Sequence, residues 1–338
     1  METNPDFSII DNPIDEPKTN GLFTVKKANQ WLNDAKNQPM PKHLFGDLWC
    51  EGEVCILFSD TNAGKSILAV QIADSISRGT PIAGFQMDAE KQRVLYFDFE
   101  LTSKQFEIRC SIEGTNHYIF DELFERVEMD NIDDMPDDVR FEEYLKSELS
   151  GLIKETGVKV IIIDNITWLK NGTETAKDAL PLMKWIHRLC RESYLSALLL
   201  AHTPKRNQSD PITQNHLGGS KMLMNFCDSS FAIGKSCQGS DVRYLKQIKC
   251  RNGKFTYDTD NVAVCRVCKV NPDNFVHFQF ERFGFESEHL VSNANGISEE
   301  KIEKVKELSK ANVPQREIAR QLDLSLGSVN KYANMQDD

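Results

Sequence analysis

The chain carries no basic excess. Its 40 Lys and Arg face 51 Asp and Glu, for a net charge of -11 and a pI near 5.3. That excludes a protein that coats nucleic acid by bulk charge; any nucleic-acid contact must come from local patches. A targeting segment is missing, since residues 1–40 hold several acids and no apolar run of leader type. Long hydrophobic runs are missing as well. The most apolar stretches, Val160–Ile163 and Leu195–Ala201, fall far short of the ~18 residues of a membrane helix. These absences predict a cytoplasmic protein with no membrane contact. There is no cysteine framework either: nine Cys are scattered through the chain, an odd number that suits a reducing compartment. Cys265 and Cys268 form the one C-x-x-C. On a strand their odd offset turns the thiols to opposite faces, and no second pair follows at zinc spacing, so buried strand cysteine is the expectation. Internal repeats are absent.

What is present is ordinary globular material. The 338 residues suggest two domains and a tail, and 40% hydrophobic residues are enough for a sizeable core. Residues 1–20, with Asn, Asp and Pro and little that is apolar, read as a disordered tail. A short helix is expected over Val25–Lys36, ended by Pro39 and Pro41. Strand-length apolar runs then alternate with helical patterns. Strands are expected at Glu53–Ser59, Arg93–Phe99, Lys159–Asp164 and Leu195–Ala201, and helices at Ser66–Arg78, Val139–Thr156 and 175–193. Thr102 and Gln105 make a capping box for another helix. This alternation predicts an α/β class with a mostly parallel sheet flanked by helices. Beyond residue 228 the pattern turns to strands alone, Ser229–Ile233, Arg243–Lys249, Val262–Val270 and Phe275–Phe280, with Asn252–Gly253 as a hairpin turn. The expected organisation is an α/β domain over 21–285, a polar linker over 286–296 and a small all-α domain over 297–338.

The first chemical motif is Ser59-Asp60-Thr61-Asn62-Ala63-Gly64-Lys65-Ser66, between a strand and a helix, as a P-loop requires. Glycine lets the backbone approach phosphate, and backbone N–H groups at the helix N-terminus supply positive potential. Lys65 is expected on the β/γ-phosphates and Ser66 on Mg²⁺. The strict pattern begins with Gly; here that position is Ser59. Two strand-end carboxylates fall on the same sheet edge. Asp164 is expected to hold Mg²⁺ through water, and Glu100 to polarise the attacking water. Each alone is equally an N-cap or a surface acid.

In this order the motifs resemble RecA-like ATPases. Val94–Glu100 followed by Leu101-Thr102 resembles the catalytic-Glu strand of RepA-type and DnaB-type hexameric helicases. Leu198-Leu199-Leu200-Ala201-His202-Thr203, with Leu217-Gly218-Gly219-Ser220 after a polar loop, is most similar to the RepA branch. The resemblance spans roughly residues 40–285. It implies ATP and Mg²⁺ as ligands, a homo-hexamer, and His202 as a γ-phosphate sensor; a satisfied polar residue at a strand end is the equal alternative. It also implies that Pro204–His216 faces a central channel, with Lys205 and Arg206 meeting single-stranded DNA. The loop has no aromatic for base stacking, and a plain solvated loop fits its composition as well. Lys249-Cys250-Arg251-Asn252-Gly253 matches the Lys-x-Arg-x-Gly that supplies finger cations to a neighbouring subunit in DnaB-like helicases. Lys249 and Arg251, two apart on a strand, should point one way from an exposed hairpin tip.

The C-terminal segment reads as three short helices, with Ile302, Val305, Leu308, Ile318, Ala319, Leu322, Val329 and Tyr332 inward. Arg316-Glu317-Ile318-Ala319-Arg320-Gln321-Leu322 resembles the first helix of a helix-turn-helix of the resolvase/invertase kind. Duplex DNA is the implied partner, through Arg316, Arg320, Ser328 and Lys331; a bundle for protein contacts is the alternative. The expected activity is Mg-dependent ATP hydrolysis at subunit interfaces, coupled to DNA binding or translocation. The competing readings are a DNA-binding regulator that uses ATP as an assembly switch, and a RecA-fold ATPase acting on protein.

Overall fold

A computed structural model describes residues 18–20, 23–129, 139, 141–166, 176–204, 206–217, 221–269, 274–291, 299–311, 313–322, 324 and 326–333. By compactness the chain divides into Met1–Pro41 and Lys42–Asp338. In the first unit, strands β1 (Lys18–Asn20) and β2 (Phe23–Val25) pair antiparallel, so strand structure begins inside the expected tail. Helix α1 covers Ala28–Lys36 and starts three residues later than expected.

The second unit is built around a nine-stranded sheet, with two separate two-stranded pairs beside it. Its first elements are β3 (His43–Phe45), β4 (Trp49–Cys50), β5 (Val54–Ser59), α2 (Lys65–Arg78), β6 (Val94–Asp98) and α3 (Ser103–Arg109). There follow β7 (Ser111–Ile112), β8 (Asn116–His117), β9 (Phe124–Val127), α4 (Phe141–Thr156), β10 (Val160–Asp164), α5 (Ala176–Ser193) and β11 (Ser196–His202). After α6 (Lys221–Phe226) come β12 (Ser229–Lys235), β13 (Val242–Cys250), β14 (Val262–Lys269) and β15 (Val276–Gly284). The sheet order is β15-β14-β13-β12-β5-β11-β10-β6-β9. From β12 to β9 all neighbours are parallel; β12 to β15 are antiparallel. The fold is α/β, mostly parallel with an antiparallel extension, as the alternation of patterns required.

The apolar runs explain why this sheet is central. In β10, Val160 to Ile163 are all buried, and successive residues feed opposite layers. Ile161 and Ile163 pack with α4 and α5 residues such as Leu149 and Ile186. Val160 and Ile162 pack with α2 residues such as Leu68 and Ile72. Each such side chain contributes about 1.5–3 kcal/mol on burial.

Two expectations fail here. The link from β13 to β14 runs over residues 251–261, so Asn252–Gly253 is not a two-residue hairpin turn. Asn252 instead reaches back to Glu53, its Nδ2 donating to Oε1 at 3.0 Å. The expected linker also starts too early. Glu286–His289 form a 3-10 turn with Glu286 and His289 buried, because Glu286 pairs with Lys246 on β13. Leu290 is half-buried as well.

Three further helices, α7 (Glu299–Lys310), α8 (Gln315–Leu322) and α9 (Leu326–Ala333), enclose Val305, Ile318 and Val329. Each contributes an inward residue at the spacing read from the sequence. No helix among the described residues is long and apolar enough to cross a membrane.

Candidate phosphate site

The candidate site lies at the carboxyl ends of β5, β6, β10 and β11, where parallel strands deliver their last residues to one edge. The chain leaves β5 at Ser59 and enters α2 at Lys65. Asn62 (φ 58) and Gly64 (φ 103) take left-handed backbone there. Gly64 is needed twice over: its φ suits no side chain, and a Cβ would sit 2.9 Å from the Phe278 ring. Ser59 needs no glycine, because it ends a strand. Its Oγ instead accepts from Lys65 Nζ at 3.2 Å.

Lys65 is buried and all three of its donors are taken. Nζ donates to Ser59 O at 3.2 Å, to Ser59 Oγ and to His202 Nδ1 at 3.1 Å. An ammonium has only donors, so His202 Nδ1 accepts and its proton belongs on Nε2. His202 Nε2 lies 3.2 Å from Glu100 Oε1. The imidazole thus links the phosphate-loop lysine to the expected base. Burial lowers the Lys65 pKa, opposed by Asp164 and Glu100. The His202 hydrogen bond holds Glu100 below the usual carboxylate range, against burial.

Glu100 is aimed by its own strand end. Asp98 closes β6 buried, and its Oδ1 accepts Glu100 N at 3.1 Å and Leu101 N at 2.9 Å. That bends the chain as it leaves the sheet. Asp98 Oδ2 takes Arg126 Nε at 2.9 Å, which compensates its charge. Thr102 then caps α3 with Gln105, as read from the sequence.

Asp164 is fully buried. Tyr96 OH donates to its Oδ2 at 2.6 Å, while Oδ1 is buried without a hydrogen-bond partner. Burial pushes the carboxyl up to about 6, opposed by hydrogen bonds from Ser66 and Tyr96 and reinforced by Glu100 and Asp98. An orphaned carboxylate oxygen beside the Ser66 hydroxyl fits a cation. The pair has the donors Mg²⁺ takes in a P-loop, the remainder coming from phosphate and water. A pH dependence follows. The folded pKa of Asp164 lies above the unfolded ~3.9, so its contribution to the nucleotide-free fold is full below pH ~4 and is lost as pH rises through about 6. Asp164→Asn should therefore raise the Tm of nucleotide-free protein by several degrees near pH 8 and little near pH 4.5. Thermal melts at both pH values check this; an equal shift at both would show that charge is not the cause.

Three residues at the site were not singled out from the sequence. Asn165, next to Asp164, donates from Nδ2 to Glu100 Oε1. Arg109, the last residue of α3, lines the space with Nη1 buried and unpartnered. Arg243 of β13 donates from Nε to Ala63 O at 3.0 Å and holds the loop's backbone. Asn165 sits beside a recognised carboxylate. Arg109 ends a helix whose cap was legible, so its position follows from Glu100. Arg243 has no local signal, because only the antiparallel turn-back of β13 brings it here.

Residues 24–208, more than half of the chain, match a family model described as an AAA domain. The chain belongs to the AAA domain family. It is thus a P-loop ATPase. No curated protein matches the chain. Among solved structures, the KaiC-like protein PH0186 of Pyrococcus horikoshii aligns at 11% identity, over 68% of this chain and 90% of that one, with a TM-score of 0.47. That likeness is too loose to carry more.

Two expected site residues are corrected. Arg206 is not a DNA-facing cation: its side chain is 3% exposed, and Nε pairs with Asp60 Oδ2 at 3.1 Å. A charge this buried stays with its partner. Lys249 is not at an exposed tip. Its Nζ donates to Cys227 O at 2.7 Å and to Met224 O, the carbonyls that the C-terminus of α6 leaves unsatisfied. Arg251 is 45% exposed and pairs with Asp228 Oδ1 at 2.9 Å. It lies at the opposite end of the sheet from the P-loop, since Asp228 Oδ2 accepts Val54 N at the start of β5. Five strand steps make that roughly 17 Å. Cys265 is buried and Cys268 half-buried. Lys205 and residues 218–220 lie outside the described residues. In the helical bundle, Arg316 and Arg320 are exposed, Arg320 pairing with Glu317. Ser328 is half-buried on α9, and the Lys331 side chain lies outside the described residues.

Proposed function

We propose that the protein is an ATP-driven DNA motor of RepA-like type, in which copies of the chain, six in the full ring, hydrolyse Mg-ATP at their shared interfaces. The observation that carries this reading is the placement of Arg251. It is exposed, charged and about one sheet length from its own P-loop, so it serves a neighbour's nucleotide or none. Lys249 steadies α6 beneath it.

The chain's own residues divide the work. Backbone N–H groups at the start of α2 and Lys65 hold the β/γ-phosphates. Ser66 and, through water, Asp164 would hold Mg²⁺, which would draw charge from the phosphate oxygens. Glu100 takes the proton of the attacking water, and the bond from the γ-phosphorus to the bridging oxygen breaks. Arg109 offers a cation within the same subunit. His202 is the sensor: when phosphate claims Lys65, His202 Nδ1 loses its donor, and the hold of Nε2 on Glu100 changes with it. A base so held favours turnover over a pure assembly switch.

DNA is assigned to two places. A single strand runs past the loop over 204–216, where Lys205 and the exposed Asn207, Gln208, Gln214 and Asn215 meet phosphates. Duplex is met by α7 to α9, with Arg316 and Arg320 on the backbone and Ser328 and Lys331 towards base edges. Removing residues 297–338 should spare basal ATPase and lower duplex affinity at least about tenfold, since modules tethered to one ring gain avidity. Binding of both lengths to duplex and single-stranded probes at one salt concentration tests it. Equal duplex affinity would make the bundle a protein-contact module.

A further inference from the structure

We propose that Arg206 is a positioning residue of the phosphate loop: acting through Asp60, it ties nucleotide binding at Lys65 to the order of residues 206–217. The inference rests on the P-loop ATPase reading and adds a residue and a coupling to it.

The end of β11 is fastened to the P-loop at several points. Ser59 O receives Thr203 N at 3.0 Å as well as Lys65 Nζ at 3.2 Å. The Asp60 carboxylate receives Thr203 Oγ1 at 2.6 Å and Arg206 Nε at 3.1 Å. Through Nη1 the same guanidinium donates to Asp210 O at 3.1 Å and Asn207 O at 3.3 Å. One planar cation therefore grips the second residue of the phosphate loop with one N–H and the turn over 207–210 with another. A lysine offers a single point charge and cannot span both.

The rest of the loop leads outward from this grip. Ile212 N donates to Glu286 Oε1 at 2.7 Å, and Lys246 Nζ donates to Ile212 O at 2.9 Å. Gln208 O accepts Val291 N at 3.2 Å, at the start of the segment that leads to α7. The turn that Arg206 closes thus touches both the P-loop and the approach to the C-terminal bundle.

The energetics favour a positioning role. An exposed pair would contribute little, but here the arginine is out of water and its geometry is fixed on both sides. Asp60 is the residue at which the chain leaves β5 to wrap phosphate. Whatever fixes Asp60 favours the loop that binds nucleotide, and by linkage nucleotide favours whatever fixes Asp60.

The test is hydrogen exchange by mass spectrometry on the full chain, with and without Mg²⁺ and ATPγS, beside the Kd of a fluorescent ATP analogue. In the native protein nucleotide should slow exchange in 59–66 and, by about threefold or more, in 206–217. Arg206→Gln should weaken the Kd about tenfold, the scale of a lost charged hydrogen bond, and abolish the response of 206–217. Asp60→Asn, which keeps the shape and the arginine, should abolish that response too and decides the matter if Arg206→Gln does not fold. Arg206→Lys should bring the Kd back within about threefold without restoring the response, because charge returns but the second grip does not. A merely structural arginine gives no such split. Protection of 59–66 without 206–217 in the native protein would overturn the coupling alone, as would an undiminished response in both Arg206→Gln and Asp60→Asn. Nucleotide protection in neither segment would overturn the ATPase reading and the coupling with it.

Discussion

Arg251→Ala is expected to lower the ATPase rate by about 10³–10⁵, the worth of an arginine finger, while nucleotide affinity changes little. Arg251 is too far from its own phosphate loop to act there, so the loss must come from the neighbour's site. A mixing experiment separates this from misfolding. Arg251→Ala protein keeps an intact P-loop, and Lys65→Ala protein keeps an intact Arg251. Co-assembled, some interfaces join the two intact halves and should regain activity that neither protein shows alone. The loss should also survive at high salt, because the pair with Asp228 is half-exposed and contributes little to the fold. Full activity in Arg251→Ala alone would remove the finger, and with it the reason for an interface.

Glu100→Gln is expected to bind nucleotide within a few-fold of the native affinity and to hydrolyse it about 10²–10⁴ times more slowly, the range for a lost general base. Gln keeps the shape and an oxygen for Asn165 but cannot take the proton. Lys65→Ala should differ in kind, losing nucleotide binding itself by about 100-fold or more, because a buried ammonium on phosphate makes charge-assisted bonds that nothing nearby replaces. The contrast is read from binding and single-turnover rates on the same preparations. Near-native turnover in Glu100→Gln would exclude it as the base.

How much of this was legible in the sequence follows from how local each signal is. The P-loop is a contiguous string between a strand and a helix, and Asp164 and Glu100 end apolar runs, so a linear reading reaches all three. The three C-terminal helices were legible too, because Ile302, Val305 and Leu308, then Ile318 and Leu322, then Val329 and Tyr332 recur at helical spacing within each. Arg206 was misread for the opposite reason. A polar loop composition suggests exposure, and only the fold brings Asp60, 146 residues away in the chain, to bury it. Lys249 was misread likewise, since the carbonyls it caps belong to α6. Asn252–Gly253 carries a strong turn signal, but the Asn side chain is spent on Glu53 and the connection stays long. Arg243 was out of reach altogether, as nothing in a strand's alternation says that its edge will meet Ala63.

The central claim is that ATP is hydrolysed between subunits and that DNA governs the rate. The direct measurement is the ATPase rate per chain on size-resolved fractions, with and without single-stranded DNA, at one fixed salt concentration. The account predicts negligible turnover in the monomer, turnover in the assembled fraction, and a rise in that turnover on adding DNA. A monomer that hydrolyses ATP at the full rate, indifferent to DNA, would contradict it.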